Sequence, residues 1–262
     1  MTTDLLNDTA AFFGFINNFG LVRAAVELVL LVGLWRGLER TGFDRRTKRT
    51  TWLAVAIPLL AWWGGVWRLA VAGVFDSRTL PLIPLSIIVP LAIGSFLLMR
   101  SQRIAALLDA TPPTWLVGLQ VYRIVGATFL VQWSLGHLPG AFALPAGIGD
   151  MLTGALALPA AFLLASGTRS GRTAAVAWNL LGILDLVVAV TLGGLSRSGL
   201  LHGLGVATAS LSYPLIMIPV FTVPQSLLLH GLSLWQLRRA ARRESRSGGS
   251  VQSDARAALS VA

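Results

Sequence analysis

Forty consecutive residues, 198–237, carry no Asp, Glu, Lys or Arg, and the stretches 79–99 and 124–149 are equally uncharged. A helix that crosses a bilayer needs about 20 mainly apolar residues, so runs of this length point into hydrocarbon. Composition closes off the alternatives. Hydrophobic residues make up 55% of the chain and charged residues 12%, with a mean hydropathy of +0.72, whereas a soluble domain carries about 25% charged residues. A water-soluble fold, a nucleic-acid-binding domain and a disordered chain all conflict with that balance. The fold class it predicts is an all-α polytopic membrane bundle.

Seven spans are expected, at about 15–37, 51–75, 80–99, 114–136, 140–166, 173–195 and 213–237, forming a single transmembrane domain over 1–237. Residues 199–211 are short and rich in small and polar types, which suggests a re-entrant or interfacial segment. With seven spans, sixteen Lys and Arg fall on one side (Arg36 to Arg49, Arg100, Arg103, Arg169, Arg172 and the six Arg from Arg238 onward), and only Arg78 and Arg197 on the other. Positive charge stays cytoplasmic, so the N-terminus is expected outside and the C-terminus inside. Trp35, Trp52, Trp115 and Trp235 fall at the expected cytoplasmic ends, where an aromatic belt belongs. The stretch 238–262 reads as a disordered basic tail drawn to anionic lipid. The N-terminus lacks the basic start of a cleaved signal peptide. Arg in preference to Lys, twenty to one, suggests a GC-rich bacterial source and hence a bacterial inner membrane.

Six charged residues remain, all inside expected spans: Arg23, Glu27, Arg68, Arg123, Asp150 and Asp185. Insertion scales put each at about +2.5 to +3.5 kcal/mol at mid-bilayer, roughly 15–20 kcal/mol if all six stood alone. They must therefore pair in the interior or line a wet cavity. Helical rise places Arg123, Asp150 and Asp185 about 13–18 Å deep, near the midplane, on three consecutive spans. These three form the expected polar site, with Asn179 and Gln225 able to bridge its charges. Arg23 and Glu27, four residues apart on one helix face, form a second pair, which Arg68 either joins or leaves by snorkelling outward.

Proline falls repeatedly within the spans: Pro58, Pro84, Pro90, Pro145, Pro159, Pro219 and Pro224. Each frees a backbone carbonyl, and transporters use interrupted helices around midplane sites. The run Pro145-Ala-Gly147-Ile-Gly149-Asp150 places a charge beside two glycines that admit a close neighbour. Pro219 and Pro224, just before Gln225, predict a bend.

Other chemistries lack their residues. The only Lys is Lys48, in a loop, which rules out a retinal Schiff base. Cys is absent, removing thiolate metal sites and disulfides. His137, His202 and His230 do not share a depth, as a bis-His haem would need. Ser226 and His230, four apart, are at best a weak hydrolytic pair. No metal, cofactor or catalytic motif is present.

The run Arg123-Ile-Val-Gly126…Phe129, then Leu138-Pro139…Phe142…Pro145-Ala-Gly147-Ile-Gly149-Asp150, then Trp178-Asn179…Gly182…Asp185-Leu186, resembles a group of uncharacterised bacterial multi-pass membrane proteins over about 114–237. The resemblance implies a membrane bundle and brings no activity. Two readings of the chain follow. In one, the cluster binds or moves a small polar solute or protons, with the proline-broken fifth and seventh spans as gates. In the other, the ion pairs only fix packing in an accessory or scaffold protein. An intramembrane enzyme ranks below both for want of a nucleophile.

Overall fold

A computed structural model describes residues 2–76, 81–198 and 211–259, with side chains described between residues 20 and 244 of those ranges. Among the described residues every regular element is helical: α1 (Thr2–Glu39), α2 (Arg45–Val71), α3 (Leu82–Arg100), α4 (Gln102–Ala110), α5 (Thr114–Leu119), α6 (Ala127–Ser134), α7 (Gly140–Ala165), α8 (Arg169–Ser198) and α9 (Val223–Leu259). A 3-10 segment, Gln120–Gly126, joins α5 to α6, and a π-helical turn, Ile218–Thr222, leads into α9. Five segments are long and apolar enough to cross a membrane: α2, α3, Thr114–Ser134, α7 and α8. The spans expected at 15–37 and 213–237 fall on α1 and on the π-turn with the first half of α9, outside those five. The segment 199–211 lies outside the described residues except for Leu211.

Burial is inverted relative to a soluble protein. Leu21, Ile88, Phe162 and Leu184 are 60–80% exposed, whereas Glu27 and Arg123 are 2% exposed. α3 shows this most plainly, presenting Leu85, Ile88, Val89, Ile93, Phe96 and Leu97 outward and burying only Ile87. An apolar exterior of this extent belongs in lipid, and the chain is a membrane protein. Apolar clusters lie at both ends of the bundle. Phe129, Phe142, Phe221 and Ile216 fill one end, and Leu38, Ile104, Leu107 and Leu108 the other.

Polar contacts define the end that holds Leu38. Arg103 donates to Thr50, Arg239 pairs with Asp109, Arg172 pairs with Glu244, and Gln236 donates to the carbonyls of Leu108 and Thr111. Trp35 and Trp52 meet edge to face, and Arg40 and Arg239 lie over Trp115 and Trp235. The four Trp of the expected belt thus gather at one end. α4 was not expected. Its Ile104, Leu107 and Leu108, spaced three and four apart, bury one stripe against α1 and α9. At the opposite end Arg197 donates to the carbonyl of Phe75 and Trp67 to Tyr213.

Two expectations about helix continuity are corrected. α7 is an unbroken helix through Pro145 and Pro159, because each proline removes one backbone bond while the flanking turns stay packed against α8 and the Gln120–Gly126 segment. The interruptions fall instead at that 3-10 segment and at the π-turn containing Pro219. Nor does helix end at residue 237. α9 continues past Arg238 to Leu259, and Arg239, Arg243 and Glu244 are tied to Asp109 and Arg172.

Glycine sets two of the turns. Gly136 (φ 75°) ends α6, with His137 N–H donating to Gln132 O and Gly136 N–H to Trp133 O, the six-to-one and five-to-two pattern that needs a left-handed residue. Gly167 (φ 68°) turns the chain between α7 and α8, its N–H donating to Leu164 O, which brings the midpoints of these antiparallel helices side by side.

Candidate functional site

Arg123 sits at the middle of Thr114–Ser134, inside the 3-10 segment, whose tighter winding turns its side chain toward α7, α8 and α9. All three guanidinium nitrogens are engaged. Nε donates to Asp150 Oδ1 at 2.7 Å, and Nη2 lies 2.6 Å from the same oxygen and also donates to Asp185 Oδ2. Nη1 donates to the carbonyl of Gly182 at 3.2 Å and meets His230 Nε2 at 3.1 Å. A guanidinium only donates, so His230 Nε2 is the acceptor and the ring is the neutral Nδ1–H tautomer. Nδ1 then donates to Asn179 Oδ1 at 2.9 Å, and Asn179 Nδ2 donates to Ala175 O and Ser233 Oγ. The ring also packs at a tilt against Trp178, whose indole donates to Thr153 O.

Glycines open the space for this cluster. A Cβ on Gly149 would lie 1.6 Å from Asp185 Oδ1, one on Gly126 2.2 Å from Asp150 Cβ, and one on Gly182 2.4 Å from His230 Nε2. Gly149 therefore seats the carboxylate of α8 against α7, while Gly147 admits Leu130 of α6.

The second network centres on Glu27. Gln225 Nε2 donates to both carboxylate oxygens, at 2.9 and 2.8 Å, and Arg23 pairs with Oε1. Arg23 Nη1 donates to Thr222, and the guanidinium lies over Tyr122 and Phe221. This pair is not satisfied within one helix but ties α1 to the π-turn and α9.

The expected site residues are thus partly regrouped. Arg123, Asp150, Asp185 and Asn179 come together. Gln225 does not join them, because its amide is held by Glu27. Arg68 joins neither network: it is exposed near the end of α2 and makes no ion pair among the described residues. Ser226 bonds the Tyr122 hydroxyl at 2.8 Å, and His230 is committed to Arg123 and Asn179, so these two form no hydrolytic pair. His230, Gly182 and Ser233 join the cluster without having been expected there. The signal for Gly182 was its spacing of three from both Asn179 and Asp185. Among the described residues no group of His, Asp and Glu is arranged to hold a metal.

Charge counting changes with Arg68 removed. The interior set is Arg23 and Arg123 against Glu27, Asp150 and the partly buried Asp185, two positive and three negative. A cavity of about 30 Å³ lies between the networks, lined by Arg23, Tyr122, Arg123, Gly126, Asp150 and Thr222 among apolar neighbours.

An apolar helical bundle around a buried, glycine-seated charge cluster defines a membrane protein with a polar interior site. Residues 80–238 match a domain of unknown function, DUF8737, and the chain belongs to that family. The matched region takes in α3 and α4 as well as the resemblance noted from residue 114 onward. It contains the whole Arg123 cluster but not Arg23 or Glu27. Searches of curated proteins and of solved structures return no match.

Proposed function

We propose that this protein is a multi-pass transporter or binding protein of a bacterial cytoplasmic membrane that takes up one unit of positive charge, a proton or a monovalent cation, at Asp150 and Asp185. The observation that carries this reading is the uneven buried charge. An uncompensated charge at mid-bilayer costs about 2.5–3.5 kcal/mol on insertion scales, and one bound positive charge removes it. Arg123 holds both carboxylates in place, and Asp150 Oδ2 is left without a hydrogen bond beside Gly126. A cavity of about 30 Å³ has room for roughly two waters, which favours a very small occupant over a larger polar solute.

The membrane arrangement belongs to the same proposal: seven spans, N-terminus outside, and the end bearing Arg103, Arg172 and Arg239 in the cytoplasm beside anionic lipid. The sixteen-to-two bias supports it, as does the gathering of four Trp at that end. A second reading, a scaffold with structural ion pairs, is favoured by the engagement of every nitrogen of Arg123. The test is infrared spectroscopy of purified protein together with ion flux in liposomes under an imposed potential. The uptake reading expects flux in wild type and its loss in Asp150→Asn and Asp185→Asn. If the carried species is a proton, a carboxylic-acid C=O band also appears in wild type and disappears in one variant. Wild-type liposomes no leakier than empty ones, with no such band, would establish the scaffold.

A further inference from the structure

Resting on that reading, we infer that the carried species is a proton, and that it reaches Asp150 through water held in the cavity between α1 and the Gln120–Gly126 segment. Three observations converge there. Arg23 lines the cavity, and its Nε–H is buried with no acceptor. Asp150 lines the same cavity, and its Oδ2 is the carboxylate oxygen that Arg123 leaves alone. Val22, also in the lining, is exposed on the lipid-facing surface of α1, so the cavity lies just beneath the outside of the bundle.

A buried donor and a free acceptor, on two of the residues that line space for roughly two waters, make a water site by the ordinary rule that buried polar groups find partners. A water that accepts from Arg23 Nε–H points its own hydrogens away from that cation and can donate to Asp150 Oδ2. A proton entering on this water passes to Oδ2, and the donor is left as neutral water. The interior set goes from one net negative charge to none.

The same geometry disfavours a metal cation. Arg23 and Arg123 both line the cavity, and two guanidinium groups repel sodium or potassium at the distance where Asp150 would have to bind it. A proton avoids this, because it ends in a covalent O–H bond. The other ionisable group facing the cavity is Tyr122, whose hydroxyl is bonded to Ser226.

The experiment follows the carboxylic-acid C=O band during a switch from H2O to D2O, which shifts the band as the acid proton exchanges. Val26 lines the cavity and is itself uncharged, so Val26→Ala, wild type, Val26→Ile and Val26→Phe form a series of decreasing free space. The single-methylene change in Val26→Ile preserves the fold if Phe does not. The band is expected at the same intensity throughout, with exchange at least tenfold slower in Val26→Phe and measurably slower in Val26→Ile than in wild type. Equal exchange rates in wild type, Val26→Ile and Val26→Ala would overturn the route while leaving proton uptake at the cluster standing. Absence of the band in wild type, or flux that stops when sodium is replaced by N-methylglucamine, would overturn the proton itself.

Discussion

At the scale of single residues, Arg123 is the hinge of the interior. Its carboxylate partners come from α7 and α8, and its contact with His230 reaches α9. Arg123→Gln leaves two carboxylates facing each other without a cation, and breaking a buried pair from one side costs about 3–5 kcal/mol. A large drop in Tm in detergent is expected, partly recovered in the double variant with Asp150→Asn. Arg123→Lys should rescue little, because a single ammonium cannot replace a planar fork that meets four groups. Thermal melting of the three variants checks both statements. The glycines make a second prediction. Gly149→Ala drives a Cβ into the carboxylate of Asp185 and should destabilise by roughly 1–3 kcal/mol, as overpacking does. Gly33→Ala, with nothing within 4 Å of the added carbon, should be neutral or stabilising by up to about 1 kcal/mol, as expected of an open helical site. The charged members of the cluster were legible in the sequence because charge is conspicuous in apolar runs. His230 was not, since one imidazole in a span gives no sign of its partner until Asn179 and Arg123 are brought beside it.

Elements show where local rules hold and where packing overrides them. Asp44 caps α2, its carboxylate accepting from the N–H groups of Arg46 and Thr47. The hydroxyl and N–H of Thr47, then the N–H of Arg46, hold its carboxyl below the ordinary aspartate value. A lowered folded value means that the cap contributes in full above the unfolded value of about 3.9, and that the contribution is lost as pH falls through the lower folded value. Asp44→Ala should therefore lower Tm at neutral pH and make little difference in strong acid, which melting curves across that range would show. Proline was the misleading signal. It predicted a break in α7, where neighbours keep the helix continuous, and it was informative only before Gln225, where Pro219 lies in a π-turn. The 3-10 break at Gln120–Gly126 has no proline and could not be read from the residues. The amphipathic stripe of α4 is legible in the spacing of Ile104, Leu107 and Leu108, between two stronger apolar runs.

For the molecule as a whole, sidedness is the property most open to direct measurement. The chain has no Cys, so single cysteines report cleanly. Ser170→Cys, at the start of α8, should react with a membrane-impermeant maleimide only from the cytoplasmic face. Ser134→Cys, at the end of α6, should react only from outside. Reaction from the opposite faces would invert the proposed orientation without touching the cluster. The last helix offers another check. Arg239 and Arg243 share Asp109, joining α9 to α4 across the basic end. Asp109→Asn should loosen that end and speed proteolysis after residue 237, and high salt should reproduce much of the effect in wild type because exposed pairs are screened.

The residues alone determined the solvent. Apolar runs that long, with so few charges, have nowhere to go but lipid, and a charge within them has to find a partner or reach toward the interface. That reasoning depends on transfer energies, which are properties of side chains and need no coordinates. Which charges meet is a different kind of question. Arg68 and Arg23 look alike in sequence, yet one ends on the outside of α2 and the other against Glu27 and the cavity. Gln225 went to Glu27 and His230 to Arg123 because the π-turn sets the rotation of α9. Rotation about a helix axis decides partners, and only packing against the neighbouring helices determines it. The unequal count of buried charges on which the proposed function rests was therefore visible only in the folded bundle.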